Sequence, residues 1–155
     1  MQTPPLTNCP CGSGRLFTHC CGQYFENESA PSSVEELMRS RYSAYTVNNG
    51  HYLLKTWHPA TRPASLDLSQ TEQCKWLGLA ICSTREDADK ASGIVEFIAR
   101  YSAGNTVAVI HETSRFIKEE GRWYYVDGTI SQPSQNSACP CHSGKKFKRC
   151  CGKQA

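Results

Sequence analysis

The sequence has no apolar run that approaches the roughly 18 residues of a membrane-spanning helix. Its opening residues, MQTPPLTNC, contain no basic segment followed by an apolar one, as a secretory signal would. A strong charge imbalance is absent too, because the formal net charge is only +3 at pH 7. We therefore expect a cytoplasmic protein with no membrane contact and no DNA specificity.

The composition indicates neither a disordered chain nor a membrane protein. Hydrophobic residues make up 39% of the chain and charged residues 20%, which is ordinary for a globular protein. A length of 155 residues suits one domain of ordinary size with small appendages.

Cysteine is the abundant residue. Eight of the ten cysteines fall in two short repeats, and only Cys74 and Cys82 stand alone. In a reducing compartment, clustered cysteines favour metal ligands over disulfides. The two isolated cysteines are predicted to be buried, inert thiols.

The repeats lie at the two ends of the chain. The first motif, CPCGSGRLFTHCCG, covers residues 9–22, and the second motif, CPCHSGKKFKRCCG, covers residues 139–152. They are identical at nine of fourteen positions, including all four cysteines. The predicted metal ligands are Cys9, Cys11, Cys20 and Cys21 in the first motif and Cys139, Cys141, Cys150 and Cys151 in the second.

Four cysteines at this spacing predict a closed metal site. A complete shell of four thiolates is the structural type of zinc site, with no open position for a substrate. Tetrahedral sulfur sites also accept iron, so zinc is the expected ion and iron stays open. Each motif is too short to have a core, and metal binding must supply most of its folding free energy.

Three further recurring positions predict how each motif folds. Ser13 is expected to be the N-cap of a helical turn that carries the second cysteine pair. Gly22 is expected to end that turn in the left-handed conformation, and Phe17 to cover the site or dock it on the main body. Their counterparts in the second motif are Ser143, Gly152 and Phe147.

The two motifs differ in charge. Residues 139–155 contain five basic residues and no acidic one, whereas the first motif has only Arg15. The basic residues are Lys145, Lys146, Lys148, Arg149 and Lys153. They either neutralise the charge of the metal site or touch an anionic partner, such as ribosomal RNA or an acidic protein face.

The pattern C-P-C-x-S-G-x-x-[FY]-x-x-C-[CH]-G resembles the SEC-C motif of the preprotein translocase motor SecA and of many small bacterial proteins. The resemblance implies that the four Cys/His positions bind zinc. In SecA the motif contacts the chaperone SecB and the ribosome. Here the fourth ligand is cysteine in both motifs, and Arg15 replaces the usual lysine.

Polar linkers at residues 26–33 and 131–138 separate the motifs from a central region of about a hundred residues. Helical spacing of apolar residues after Ser33 predicts a first helix that ends at residues 48–50. HYLLKTWH, residues 51–58, predicts a second helix stopped by Pro59. Alternating runs predict strands at residues 75–83, 93–101, 106–116 and 122–128.

This order predicts an α+β fold in which N-terminal helices pack on a curved four-stranded antiparallel sheet. It resembles the cone-shaped fold of nuclear transport factor two, ketosteroid isomerase and scytalone dehydratase. Together with RSRYSAY, TWHP, VEFIARY and HETSRF, it resembles the YchJ family. That resemblance implies a SEC-C motif at 1–25, a central domain at 32–131 and a second SEC-C motif at 137–155.

Arg41 is the most informative residue of the central region. Helical spacing puts it on the stripe that faces the sheet, and a buried guanidinium needs a partner. We predict an ion pair with Glu112, with Glu96 as the second choice, while His111 faces the opposite side of the sheet. The pair is either a structural contact or the floor of a polar pocket. The candidate pocket residues are Arg41, Tyr42, Tyr45, Glu96, Glu112 and Tyr125.

Two other polar residues favour structural roles. His58 in the TWHP turn is predicted to cap or pack, and Asp127 to be a turn or strand-end carboxylate.

The sequence supports three hypotheses about function. The first is a non-catalytic interaction protein that contacts a protein or the ribosome through its metal motifs. The second is a small-molecule binder or an isomerase- or dehydratase-like enzyme that uses the central pocket. The third is that both metal sites are structural clips only. By analogy with the fold, a homodimer through the open sheet face is also possible.

Metal analysis of the purified protein tests the repeats directly. We expect about two ions per chain, because each motif supplies one full tetrahedral shell. A metal content near zero, with the thiols oxidised to disulfides, would contradict the prediction.

Overall fold

The computed structural model describes residues 7–27, 29–89 and 91–154, without the side chain of Glu72. The outermost residues of both predicted SEC-C segments, 1–6 and 155, lie outside this range. The helices are α1 (Gly22–Glu26), α2 (Val34–Thr46), α3 (Gly50–Lys55) and α4 (Ser69–Glu72), with 3₁₀ turns at Phe17–His19 and Phe147–Arg149. The strands are β1 (Lys75–Glu86), β2 (Ser92–Ala103), β3 (Thr106–Glu119) and β4 (Arg122–Ser131). No helix of the described residues is long and apolar enough to cross a membrane.

Helix α2 begins where the sequence predicts it. The Ser33 side chain accepts a hydrogen bond from the backbone N–H of Glu36 at 3.1 Å. The Glu36 carboxylate in turn accepts from the backbone N–H and the hydroxyl of Ser32, both at 2.8 Å. These bonds satisfy donors that the first helical turn leaves free. On the stripe of α2 that faces the sheet, Val34 and Leu37 are fully buried.

Helix α3 is shorter than predicted, because the chain leaves the helix to join the edge of the sheet. Tyr125 donates its backbone N–H to the carbonyl of Thr56 at 2.8 Å, and His58 donates to the carbonyl of Tyr125 at 2.7 Å. Trp57 thereby forms a parallel bridge with Tyr125. Pairing with β4, rather than Pro59, ends the helix.

The four strands form one antiparallel sheet in the order β1-β2-β3-β4. They are longer than predicted, because two-residue turns join β2 to β3 and β3 to β4. In the second of these turns Glu120 has φ 51° and Gly121 has φ 78°, as a tight hairpin requires. The fold class, an α+β arrangement with helices on a four-stranded antiparallel sheet, is confirmed.

Different segments of the chain pack against the two faces of the sheet. Phe97 pairs with Glu112 and Ile98 with His111, so the two pairs lie on opposite faces. The helix face carries Phe97 together with Val95 and Phe116, and it packs against α2 and the cysteines of the first motif. The outer face carries Ile98 and Cys82, which pack against the cysteines and Phe147 of the second motif.

The sheet therefore separates the two motifs. The second motif covers part of the outer face, the open sheet face that the analogy with the fold offers for a homodimer. Dimerisation itself stays a prediction.

Candidate metal centres

Each motif brings its four cysteines together. In both clusters the four Sγ atoms all lie within 4.8 Å of one another. The Sγ atoms of Cys11 and Cys20 are 3.7 Å apart, and those of Cys141 and Cys150 are 3.4 Å apart. A tetrahedron with metal–sulfur bonds of about 2.3 Å has its sulfurs about 3.8 Å apart. The donor set and its spacing thus fit a four-coordinate metal ion, and all ten cysteines are free thiols rather than disulfides.

A short backbone turn positions the first pair of sulfurs in each motif. In the first motif Cys9 donates its N–H to the carbonyl of Arg15 at 2.8 Å, and Gly12 follows in the left-handed region at φ 81°. In the second motif Cys139 donates to Lys145 at 2.9 Å, and His142 takes the left-handed place at φ 66°. Glycine adopts that conformation without strain, whereas His142 carries a β-carbon that disfavours it.

The serine of each motif contacts a sulfur instead of capping a helix. The Ser13 hydroxyl lies 3.2 Å from Cys20 Sγ and accepts the backbone N–H of Arg15 at 3.2 Å. Ser143 donates to Cys150 Sγ at 3.1 Å in the second motif. The N-cap prediction is wrong, because the 3₁₀ turns begin four residues after these serines, at Phe17 and Phe147.

The glycine that follows each cysteine pair is required by a close approach. A β-carbon on Gly22 would lie 3.0 Å from Phe17 Cε1, and one on Gly152 would lie 2.5 Å from Phe147 Cε1. Neither glycine has a positive φ, so the predicted left-handed conformation is wrong. The phenylalanine ring occupies the space of the missing side chain, and it packs against the sheet core as predicted.

The first cluster is part of the main core. All four of its cysteines are buried, and Cys9 Sγ lies 3.4 Å from the Ser43 hydroxyl of α2. Arg39, one turn earlier on α2, donates to the carbonyl of Cys11 at 2.7 Å. Neither contact was predicted from the sequence. The available signal was their spacing of four residues, which puts Arg39 and Ser43 on one side of the helix.

The second cluster is peripheral. Cys141 and Cys150 are only half-buried. Besides Phe147, the motif is held by the chain end, where Gln154 exchanges two hydrogen bonds with the backbone of Val107 at 3.0 and 2.8 Å. Arg100 of β2 also donates to the carbonyl of Lys153 at 3.0 Å.

Each cluster contains a cysteine that ionises readily. Hydrogen bonds from Cys21 and Cys9 lower the pKa of Cys11 far below its usual value. Burial opposes ionisation of Cys141, but hydrogen bonds with Ser143 and with neighbouring cysteines lower its pKa to about 6. A thiolate is the form that binds metal, so each cluster presents one at neutral pH.

Arg41 is buried as predicted, but the predicted partner, Glu112, is wrong. Its guanidinium donates to the carbonyl of Leu53 at 2.8 Å and to the Thr56 hydroxyl at 2.7 Å. It also lies over the rings of Trp57 and Tyr125, at 5.3 and 4.5 Å from their centroids. Among the described residues it makes no ion pair with Glu112. The end of α3 supplies one backbone carbonyl and one side-chain hydroxyl as acceptors, which a sequence pattern does not reveal.

Glu112 and Glu96 lie on different faces. Glu112 accepts from Ser114 at 2.8 Å and from the Tyr125 hydroxyl at 3.3 Å, so it reaches Arg41 only through the tyrosine. Glu96 bonds His111 on the outer face at 2.8 Å, opposite Arg41. The proposed pairing of Arg41 with Glu96 is therefore wrong, whereas the placement of His111 opposite Glu112 is confirmed.

The two tyrosines of α2 pack rather than converge on Glu112. Tyr42 and Tyr45 contact the ring of Trp76, with centroid distances of 5.5 and 6.0 Å. Burial raises the pKa of Tyr42 to about 12 and also raises that of Tyr45. Both phenols are therefore neutral at physiological pH.

The predictions for His58 and Asp127 have opposite outcomes. His58 caps the turn after α3 by accepting the N–H of Ala60 at 3.1 Å, as expected. Asp127 lies inside β4, not at its end, and pairs with Arg115 through two bonds of 2.6 Å.

Cys82 is buried, and burial and the nearby Glu96 raise its pKa to about 12, in agreement with an inert thiol. Cys74 is only half-buried.

The sheet with its helix layer defines a domain of the nuclear transport factor two-like class, and the two cysteine clusters define a possible metal-binding protein. The chain belongs to the YchJ family, as its resemblance implied. The family model described as "YchJ, middle NTF2-like domain" matches residues 33–128. The SEC-C motif model matches residues 8–23 and 136–153.

Known relatives agree with this assignment. A UPF0225 protein of Serratia proteamaculans (strain 568) is 44% identical over 150 residues, which cover 94% of this chain and 97% of that protein. The solution structure of a SEC-C motif containing protein from Rhodopseudomonas palustris is similar with a TM-score of 0.72 and 35% identity, over 81% of this chain and all of that one. The crystal structure of a SEC-C motif containing protein from Psychrobacter arcticus is similar with a TM-score of 0.66 and 30% identity, over 95% of this chain and 96% of that one.

Replacing Arg41 tests its role as a buried anchor. We expect Arg41→Met to lower the free energy of unfolding by about 3 kcal/mol, because the carbonyl of Leu53 loses a charged donor. Glu112→Gln is the control and should cost less than about 1 kcal/mol. Denaturant unfolding measures both. Equal losses for the two variants would restore the predicted ion pair.

Matched cysteine substitutions test the difference between the two clusters. Cys11→Ser should lower the free energy of unfolding by more than about 4 kcal/mol, because its cluster is part of the core. Cys141→Ser, at the equivalent position, should release one ion but cost only about 1 kcal/mol. Metal analysis and denaturant unfolding measure these effects. Equal destabilisation by the two variants would contradict the assignment.

Proposed function

We propose that this chain is a cytoplasmic zinc protein that docks on the ribosome through its second motif and catalyses no reaction. The first motif is then a structural part of the core, and the second presents the docking surface. This surface, called the basic surface below, consists of Lys145, Lys146, Lys148, Arg149 and Lys153.

Zinc is supported by the chemistry of the donor set. Four thiolates in a closed tetrahedral arrangement are typical of structural zinc sites, which need no redox function and no open position. Iron uses the same donors in other proteins, and metal analysis of the purified chain distinguishes the two ions.

The exposure of the basic surface is the observation that carries the proposal. All five of its side chains are exposed, and among the described residues none forms an ion pair with a carboxylate. Two surface arginines elsewhere are paired, Arg85 with Asp87 and Arg115 with Asp127.

The positive charge of the basic surface exceeds the negative charge of the metal site. A divalent ion on four thiolates carries a formal charge of about −2, which leaves the second motif with roughly +3. An unpaired cluster of this sign attracts a polyanion such as ribosomal RNA.

The second motif also presents these charges in a fixed geometry. Lys145, Lys146 and Arg149 line one surface cleft. The backbone beneath them is anchored by the buried Phe147 ring and, in the metal-bound state, by the four sulfurs. A rigid set of cations loses less conformational entropy on binding than a flexible tail of the same charge.

The alternative, a central pocket built on Arg41 and Glu112, has no specific observation in its favour. The guanidinium is packed between two rings and is 3% exposed. Both of its hydrogen bonds go from Nη1 to the end of α3, and among the described residues it forms no ion pair with Glu112.

Charge reversal tests the basic surface. Replacing Lys145, Lys146 and Lys148 with glutamate should weaken co-sedimentation with ribosomes by roughly tenfold or more and flatten its salt dependence, because fewer counterions are released. The matched control makes the same change to glutamate at three exposed cations that are far from the second motif in sequence: Arg62, Lys75 and Arg85.

Metal content should be unchanged in both triple variants, which separates loss of charge from loss of the fold. Binding of the first variant as tight as that of the wild type would refute the docking surface. Equal weakening by the control would show that only the total charge matters.

A further inference from the structure

The two cysteine clusters differ in how open their sulfurs are to solvent. Cys141 and Cys150 of the second cluster are half-buried, whereas their counterparts Cys11 and Cys20 are buried. The Sγ atom of Cys141 also has less protein around it than that of Cys11. A small solute in water therefore reaches the second cluster more readily than the first.

A surface cleft approaches the first cluster but leaves its sulfurs covered. Cys20 and Cys21 line this cleft, yet they are only 7% and 1% exposed. All four cysteines of the first cluster pack in the core with α2. Access to them requires a local opening of that part of the domain.

The surroundings of Cys141 and Cys150 favour reaction with an oxidant. Reactive cysteines lie in electropositive, partly exposed places, and oxidation selects sulfurs that are accessible thiolates. Sulfurs that bind a metal ion are held as thiolates. Residues 139–155 contain no acidic residue, and four basic residues lie between the two cysteines in the chain: Lys145, Lys146, Lys148 and Arg149.

Distance and exposure favour one pair of sulfurs in the second cluster. The Sγ atoms of Cys141 and Cys150 are 3.4 Å apart. Cys150 and Cys151 are adjacent, with Cα atoms about 3.8 Å apart, which is shorter than the roughly 4.4 Å minimum of a disulfide. Cys139 and Cys151 are also buried. Cys141 and Cys150 are thus the pair that an oxidant would join.

The second motif can adjust to such a bond without disturbing the helix face. Its attachments are the Phe147 ring on the outer face and the hydrogen bonds of Gln154 and Arg100. His142 has a positive φ of 66°, a conformation that its β-carbon disfavours, so the turn between the first two cysteines is already strained. Any movement of the sulfurs is therefore confined to this motif.

We propose that the second cluster is a peroxide-sensitive site, in which Cys141 and Cys150 form a disulfide and the metal ion is released. One sulfur attacks a peroxide oxygen, the O–O bond breaks, and the sulfur becomes a sulfenic acid while the leaving hydroxide takes a proton to form water. The other sulfur displaces the sulfenic hydroxyl, which takes a proton and leaves as a second water. Two electrons pass from the two sulfurs to the peroxide. The ion then has two of its four ligands and dissociates.

The inference goes beyond the proposed docking function, and its test uses no ribosome. The first cluster keeps its ion, so the domain stays folded after the reaction. Failure of either idea therefore leaves the other standing.

Treatment of the full chain, loaded with zinc, with hydrogen peroxide tests the inference. A chromogenic chelator measures released zinc, and alkylation of the remaining thiols followed by peptide mapping identifies the disulfide. We expect one ion to be released at least about tenfold faster than the other, together with a disulfide between Cys141 and Cys150. A thiol reductant with added zinc should restore the second ion. The same chain without peroxide corrects for zinc that the chelator extracts.

Three variants locate the reactive sulfurs. Cys141→Ser should abolish the rapid release, because its second site has already lost the ion. Cys82→Ser and Cys74→Ser are the controls and should keep the rapid release, since Cys82 only packs against the cluster and Cys74 is a half-buried thiol outside both motifs. If Cys141→Ser does not fold, the mapped disulfide and the two controls decide the question.

Three results would overturn the inference. The first is release of both ions at equal rates, and the second is retention of both ions at a peroxide concentration that oxidises Cys74. The third is loss of the rapid release in Cys82→Ser or Cys74→Ser, which would make one of those thiols the site of attack.

Discussion

Burial of the four sulfurs of the first motif against α2 links the metal site to the core of the whole domain. These cysteines belong to the same apolar cluster as Leu37, Val95 and Phe116, so the metal-binding segment is part of the domain core. The lowered pKa of Cys11 makes it a thiolate, and a buried thiolate is costly without a cation, because desolvation penalises unpaired charge. Metal binding and folding of the central domain are therefore coupled.

Arg41 of α2 is a second buried charge, and it is stabilised in a different way. In the part of the chain that the structure describes, Arg41 forms no ion pair; two oxygen acceptors at the end of α3 and the faces of two aromatic rings take that place. This arrangement joins α2, α3 and β4 at one point, and it explains why the chain leaves α3 at Thr56 to pair with Tyr125. Arg41, a candidate pocket residue from the sequence, is a structural anchor in the fold.

Two nearly identical motifs have different environments because the sheet lies between them. The first packs into the helix face and has one exposed cation, Arg15, which donates to the carbonyl of His19. The second rests on the outer face through Phe147 and the chain end, and its cations point away from the body. This difference supports a structural role for the first motif and a docking role for the second. It also reduces the area that a homodimer of the open-sheet type would have available.

Local spacing in the sequence predicts the two cysteine clusters, the start of α2, the four strands and the family. It suffices there because ligand geometry, helix caps and strand alternation involve residues that are near one another in the chain. The partner of Arg41, the face on which each motif docks and the position of Cys82 beneath the second motif emerge only in the folded chain. Those features depend on where α3 ends and on bulges in β1, at Trp76/Gly78 and Ile81/Ser83, that shift the alternation of its side chains. Contacts between distant segments follow from sheet register and packing, which no single segment specifies.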